Sequence, residues 1–369
     1  MEQYRIIEKI GSGSYGIVFG ALNEHTGEKV AIKKLKIMCK SVNDCTNMRE
    51  IKALCKMNHP NIVRLKQIIK EHDTLYLVLE YMECNLYQRM IGRNPFSEDE
   101  IRQLCFQMFQ GLAYMHRNGY FHRDLKPENF LVSKDIIKIA DLGLARETNG
   151  KPPYTDNVGS RWYQAPEVLL HAEQHDSSVD MWAMGAIMAE LFTSQPLFPG
   201  DYGADQIYNI CNVIGSPTES TWSEGLQLAR NLNYHFPQLP GVQLSSIVPS
   251  ASPDALNLIA ALLSWSPWAR PTAMEALEHP FFSTCYNVPP PLRGQTLPEL
   301  FKMVMKWEFE MEMESALLKQ TTKSPTSGSE KVDSTEDPIR GLLETPFFGS
   351  ERVDSTEDLI RLLPKNPFY

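Results

Sequence analysis

Phe121-His122-Arg123-Asp124-Leu125-Lys126-Pro127-Glu128-Asn129-Phe130-Leu131, followed at short range by Asp141-Leu142-Gly143, is the stretch that decides the fold. It holds an acidic residue that can orient a hydroxyl, a lysine two positions on, an amide five on, and a second carboxylate beyond an intervening hairpin. Phosphoryl transfer asks for that set, because it needs positioning and charge neutralisation rather than a covalent nucleophile. Any one of these residues alone is more often surface than chemistry. Their joint spacing makes a chance set of surface residues a poor reading.

Toward the N-terminus, residues 4–10 and 17–22 read as short apolar strands either side of Gly11-Ser12-Gly13-Ser14-Tyr15-Gly16. Such a glycine pattern serves dinucleotide folds and plain hairpins alike. The run after it, Ile17-Val18-Phe19, is strand-like and does not open a helix, which disfavours the dinucleotide reading. Val30-Ala31-Ile32-Lys33 follows as an apolar strand ending in a lysine. Lys33 either solvates a strand edge or, given the glycine-rich loop before it, holds the α- and β-phosphates of a nucleotide. Residues 42–57 form a helical stretch with Ile51, Leu54 and Cys55 on one face. Glu50 is either an exposed helical carboxylate or the counter-ion that fixes Lys33. Strands then run to Leu75-Tyr76-Leu77-Val78-Leu79-Glu80-Tyr81-Met82 and pass into a linker, which places a boundary near residue 83.

Toward the C-terminus, Ile101, Leu104, Cys105, Met108, Phe109 and Leu112 recur at spacings of three and four, the period of a buried helix leading into the opening stretch. A polar loop connects Asp141-Leu142-Gly143 to Ala165-Pro166-Glu167, and Asp180-Met181-Trp182-Ala183-Met184-Gly185 begins an apolar helix.

A length of 369 residues suggests about two domains. With 43% hydrophobic and 22% charged residues the chain has ordinary globular composition. No apolar run approaches the ~20 residues of a membrane span, and the start, Met1-Glu2-Gln3-Tyr4-Arg5, has no apolar core of a secretory leader. The seven cysteines show no metal-ligand pairing and read as reduced thiols of an intracellular compartment. A formal net charge of −9 gives nucleic acid no basic stripe to bind.

Taken in order, these motifs resemble those of the eukaryotic protein kinases across residues 4–282. The insert at about 195–255 after Pro196-Leu197-Phe198-Pro199-Gly200 is similar to that of the cyclin-dependent and mitogen-activated branch. Asn85-Leu86-Tyr87-Gln88, Pro152-Pro153-Tyr154-Thr155-Asp156, Trp222-Ser223-Glu224-Gly225 and Phe236-Pro237-Gln238 are similar to the male-germ-cell-associated and intestinal-cell kinase group. The resemblance implies an α+β bilobal fold. A small β-rich N-lobe with one helix would occupy residues 1–82, and a larger, mostly α-helical C-lobe residues 83–286.

By the same resemblance, Asp124 would orient the substrate hydroxyl and accept its proton, while Lys126 neutralises the transferring phosphoryl. Lys33 and Glu50 would form the phosphate-binding ion pair, and Asn129 and Asp141 would hold Mg²⁺. Ile10, Gly11, Gly13, Gly16, Val18, Ala31 and Leu131 would enclose ATP. Glu80 and Met82 would offer main-chain groups to adenine, and Leu79 would guard the pocket behind them. Asp180 would anchor the catalytic loop from below, and Arg270 would pair with Glu167. Leu142 stands where the family usually has Phe and is expected to pack between Leu65 and His122.

Thr155 matches the activation-loop phosphosite, with Arg49, Arg123 and Arg146 as its cationic cradle, which implies an upstream activating kinase. Two departures matter. Asn157 replaces the tyrosine of the group's Thr-Asp-Tyr, and Gln164 replaces an arginine before Ala-Pro-Glu, leaving Arg161 of two arginines that grip a phosphotyrosine in mitogen-activated kinases. A phosphate acceptor and one of its ligands are lost together, which implies control by one phosphate.

The implied activity is ATP- and Mg²⁺-dependent transfer to Ser or Thr of protein substrates, proline-directed in this branch, with Gln164 bearing on that preference. The implied setting is cilium or flagellum control or meiotic progression, in cytoplasm, cilium or nucleus. A cyclin-dependent kinase is the alternative within enzymes, although Thr46-Asn47-Met48-Arg49-Glu50-Ile51 lacks that family's helix motif. A pseudokinase scaffold would lack a phosphate or metal ligand, and none is missing.

Residues 287–369 form a tail. Phe301 to Met313 alternate apolar and polar residues, while Leu300, Val304, Trp307 and Met311 also fit one helical face. Ser329-Glu330-Lys331-Val332-Asp333-Ser334-Thr335-Glu336-Asp337 recurs at Ser350 with a period of 21 residues. The copies are expected to be disordered alone, and are either a tandem duplication without a role or a bivalent partner-docking motif.

Overall fold

Alternating apolar residues in the first eighty positions build a five-stranded antiparallel sheet: β1 (Tyr4–Ser12), β2 (Gly16–Asn23), β3 (Lys29–Met38), β4 (Leu65–Glu71) and β5 (Thr74–Glu80), in the order β1-β2-β3-β5-β4. This computed structural model describes residues 1–13, 16–38, 48–91, 95–148, 161–201 and 203–285. The chain divides into two units, Met1–Ala316 and Leu317–Tyr369, and every described residue falls in the first. The β2–β3 turn forms because Asn23 Oδ1 accepts the N–H groups of His25 and Thr26, with Gly27 at φ +70. Register places Ala31 opposite Leu79 and Lys33 opposite Leu77, so the lysine points from the middle of the sheet.

Between β3 and β4 lies α1 (Arg49–Lys56), with Glu50 in its first turn and Lys56 in its last, charges that complement the helix dipole. The helix expected over 42–57 is therefore described only in its second half; residues 39–47 lie outside the described residues, as do Thr155, Asn157 and the whole tail from 286.

The loop after α1 leaves the sheet. Val63 N–H donates to Ile139 O and Ile139 N–H to Asn61 O, both at 2.8 Å, and Asn61 Nδ2 donates to Ile137 O at 2.9 Å. Gly111 sits against this loop, where a Cβ would lie 2.8 Å from Asn61 O.

After the linker come β6 (Cys84–Asn85), α2 (Leu86–Met90) and α3 (Glu98–Arg117). Ser97 and Glu100 cap α3 reciprocally, which sets its first residue. Then follow β7 (Tyr120–Phe121), β8 (Phe130–Ser133), β9 (Ile136–Ile139), β10 (Arg146–Glu147), α4 (Pro166–Leu169) and α5 (Ser178–Thr193). Val179 to Phe192 of α5 are all buried, so the helix has no polar face and forms the axis of the C-lobe. Around it lie α6 (Gly203–Ile214), α7 (Glu219–Asn231), α8 (Leu244–Ile247), α9 (Pro253–Leu262) and α10 (Ala273–Leu277). The architecture is the expected α+β, bilobal one: a sheet with one described helix, joined to a helical half.

Arg270 ties that half together. Its Nη1 donates to Glu167 Oε1 at 2.6 Å and its Nη2 to Glu167 Oε2 at 2.8 Å. The remaining donors reach the carbonyls of Ser264, Ser178 and Trp265, so all five N–H groups are used. No helix among the described residues is long and apolar enough to cross a membrane.

Candidate active site

Three short elements bring the acidic and basic groups together. Lys33 extends from β3 to place Nζ 2.6 Å from Glu50 Oε1 and 2.8 Å from Asp141 Oδ1, although the two aspartate and lysine positions are over a hundred residues apart in the chain. Lys33 and Glu50 are 7% and 6% exposed, so this ion pair is desolvated and geometrically fixed. Burial pushes the Lys33 ammonium down, but the two carboxylates outweigh it and hold the group charged. Burial likewise raises the Asp141 carboxyl, and Lys33 outweighs that effect, so the net shift is downward and Asp141 is ionised.

Asp141 adopts a left-handed backbone at φ 57, and Arg123 does so at φ 73. Non-glycine residues there carry strain that the surroundings must offset. For Arg123 the counterweight is Asp180 at the start of α5. Asp180 Oδ1 accepts Arg123 N–H at 2.8 Å and Oδ2 accepts His122 N–H at 2.7 Å, while His116 Nε2 lies 2.9 Å from Oδ2. Burial raises this carboxyl, and those bonds overcome it to leave a net lowering.

His122 has two bonds with opposite roles. Asp124 N–H donates to Nδ1 at 3.2 Å, so Nε2 carries the proton toward Ala140 O, 2.9 Å away. The ring thus braces the catalytic loop against the residue preceding Asp141. Leu142, Leu65 and His122 are all fully buried, and α1 packs against the single turn Leu142–Leu144. Leu in place of Phe leaves that core closed.

Asp124 Oδ2 accepts Lys126 Nζ at 2.9 Å and Asn129 Nδ2 at 3.2 Å; the same amide donates to Asp124 O at 2.7 Å. Asn129 Nδ2 is thus committed to Asp124, which leaves its side-chain oxygen as the acceptor of that amide, while Asp141 is ionised. Hard oxygen donors of this kind suit Mg²⁺, which binds through one or two protein groups plus substrate phosphates. No cluster of three or more His, Cys, Asp or Glu able to hold a metal occurs among the described residues.

Above the site, Gly13 N–H donates to Gly16 O at 2.9 Å, and Lys36 Nζ holds Gly13 O at 2.7 Å. The two glycines differ. A Cβ on Gly13 would meet nothing, whereas one on Gly16 would sit 2.4 Å from Lys34 O, so Gly16 is demanded by the close approach of β2 to β3. Ile10, Gly11 and Val18 lie on β1 and β2, Ala31 on β3 and Leu131 on β8, on both sides of the cleft. Glu80 N–H is already committed to Arg64 O at 3.1 Å, so Glu80 would meet a base through its carbonyl. Its carboxylate accepts Arg64 N–H at 2.7 Å and pairs with Lys138 on β9 at 2.9 Å, a brace that motif spacing does not reveal. Met82 is 9% exposed.

Of the three arginines expected to cradle phospho-Thr155, Arg49 opens α1, Arg123 precedes Asp124, and Arg146 lies opposite Phe121 in the β10–β7 pair. Gln164 Oε1 is buried without a hydrogen-bond partner among the described residues, and Arg161 donates to Asp201 O at 3.1 Å. Sequence reasoning also missed Tyr163, whose hydroxyl donates to buried Glu190 at 2.7 Å.

The sheet-plus-helical architecture and this Lys-Glu-Asp constellation define the class. The sequence profile of the protein kinase domain matches residues 4–282, and the chain belongs to the protein kinase family. It is 56% identical over 296 residues to cyclin-dependent kinase F-4 of rice, covering 80% of this chain and 64% of that protein. It is 49% identical over 284 residues to serine/threonine-protein kinase MAK of mouse, covering 76% of this chain and 46% of that protein. Against serine/threonine-protein kinase ICK of rat the identity is 48%, with 76% and 45% covered. The chain thus spans between under half and about two thirds of the length of these relatives.

Proposed function

We propose that the protein transfers the γ-phosphate of ATP to Ser or Thr hydroxyls of protein substrates. The observation that carries this reading is Lys33 Nζ held between Glu50 and Asp141 within hydrogen-bonding distance of both. Lys33 would steady the α- and β-phosphates, with Glu50 fixing its direction. Asp124 would orient the hydroxyl and take its proton, and Lys126 would balance charge at the moving phosphoryl. Asn129 and Asp141 would hold Mg²⁺, which when bound neutralises the phosphate oxygens. Ile10, Gly11, Gly13, Gly16, Val18, Ala31 and Leu131 would enclose the nucleotide, and Glu80 and Met82 would meet adenine.

The working division is an N-lobe to residue 82, a C-lobe to 286 and a tail beyond. Phospho-Thr155, added by an upstream kinase and cradled by Arg49, Arg123 and Arg146, is the proposed activating mark. Acceptors followed by proline, in ciliary, flagellar or meiotic control, are the finer reading that the quoted motifs support. Gln164 bears on the proline preference, and a peptide array comparing Ser-Pro with Ser-Ala decides it. The 56% identity to a protein named as cyclin-dependent favours a second arrangement in which a cyclin is needed, tested by copurification. The principal test is a radiolabelled-ATP assay on a generic basic protein: wild type should label it, and Asp141→Asn should not. An inactive wild type, with and without Thr155 phosphorylation, would refute the assignment.

A further inference from the structure

The three segments that deliver the reacting groups meet a second time, away from the cleft. Lys56 is the last residue of α1, the helix that carries Glu50. Tyr120 opens β7, just ahead of His122, Arg123 and Asp124, and Glu147 ends β10, shortly after Asp141. In the β7–β10 pair Glu147 stands opposite Tyr120. Tyr120 Oη donates to Glu147 Oε1 at 2.6 Å, and Lys56 Nζ reaches the same oxygen at 3.1 Å. Lys56 Nζ also lies 5.1 Å from the centre of the Tyr120 ring.

An exposed Lys–Glu pair alone contributes at most about 1 kcal/mol, because water screens it and two long side chains must be ordered. Here the Lys56 and Glu147 side chains are 59% and 57% exposed, so that limit applies to them. Tyr120 changes the case: the residue is 4% exposed and its ring is fixed, so its hydroxyl pins the carboxylate in one place. Lys56 then meets a preorganised acceptor and a ring face instead of a free side chain.

We propose that Lys56, Tyr120 and Glu147 form a latch that sets the orientation of α1 and thereby positions Glu50 against Lys33. The inference rests on the phosphotransferase reading above. Near its start α1 is held by Lys33–Glu50, and its buried Ile51, Ala53 and Leu54 pack on the core, contacts that are non-directional and leave the last turn's orientation to polar groups. Lys56 lies six residues further on, about 9 Å along the axis at ~1.5 Å per residue. A polar contact at that distance restrains the last turn and so adds to the packing that aims Glu50. All three are positioning residues, since none touches Lys33, Asp124 or Asp141.

The test compares hydrogen exchange of α1 amides in the full chain with that in Lys56→Gln, Tyr120→Phe and Glu147→Gln. Each variant should speed exchange in α1 by about threefold to fivefold while α3 and α5 keep wild-type protection. The Tyr120→Phe/Glu147→Gln double variant should exchange no faster than the quicker single one, because both changes break one unit. Lys56→Arg should retain slow exchange. In the labelled-ATP assay the single variants should lower kcat by a similar factor, with KM for ATP within about twofold of wild type. Unchanged α1 exchange, or effects that multiply in the double variant, would overturn the latch. A wild type without kinase activity would instead remove the phosphotransferase reading, and the exchange result would still decide the latch.

Discussion

Arg270 and Glu167 are joined by two parallel hydrogen bonds, 103 residues apart in the chain, in a site where the arginine is 5% and the glutamate 3% exposed. Removing one partner of a buried pair leaves the other charge uncompensated, which costs about 3–5 kcal/mol. Arg270→Ala should therefore lower the melting temperature by roughly 10 °C. Arg270→Lys should rescue little, because an ammonium offers three donors where five are used. Thermal denaturation followed by circular dichroism checks both; a shift below about 2 °C for the alanine variant would contradict this account.

Lys33 should be a sensitive position for turnover. Lys33→Met preserves length and removes the charge facing Glu50 and Asp141, so kcat should fall by at least about 100-fold. Titration calorimetry of magnesium nucleotide, run beside the activity assay, separates lost turnover from lost binding.

The two glycines of the N-terminal loop should behave differently. Gly16→Ala forces a methyl group toward Lys34 O and should disturb the β2–β3 pairing, lowering the melting temperature and raising KM for ATP. Gly13→Ala meets open space and should leave stability within about 0.5 kcal/mol of wild type. Equal effects of the two changes would contradict the packing argument.

Burial pushes the Glu190 carboxyl up to about 7, with Tyr163 opposing the shift and Glu128 adding to it. Its unfolded value is near ~4.3. Between those values the folded chain binds more protons than the unfolded one, so this group's contribution to stability falls as pH rises. Glu190→Gln lacks that dependence. Wild type should therefore lose stability relative to the glutamine variant between about pH 4.5 and pH 7, and melting curves at half-unit steps measure it. Parallel curves would refute the shift.

Much of the site was legible because its chemistry is written in fixed spacings. Asp124, Lys126 and Asn129 sit within six residues, and an acidic residue on the helix after Lys33 was readable as its counter-ion before any geometry was known. Glu190 illustrates what was not legible: it lies in an apolar helix, and only the fold brings Tyr163 to it from 27 residues away. The Glu80 brace to Lys138 is of the same kind, since neither residue belongs to a spaced motif. Gly16 is expected among the residues that enclose ATP, and the strand pairing adds a restriction not visible in the sequence: the β3 backbone occupies the space of its Cβ. Glu80 is expected to offer main-chain groups, and the fold adds that its N–H is already bonded to Arg64 O.

The loop from Met57 to Arg64, numbered among the strands, is fastened through Asn61 and Val63 to Ile137 and Ile139 of the helical half. It should therefore travel with that half whenever the cleft opens, leaving β4 to flex at its junction with it. The sheet then has a second fulcrum besides the linker near residue 83, and motion about two supports is confined to one axis. On the proposed function, closure over a nucleotide should then be a nod without a twist, with Lys33 kept in line with Asp141.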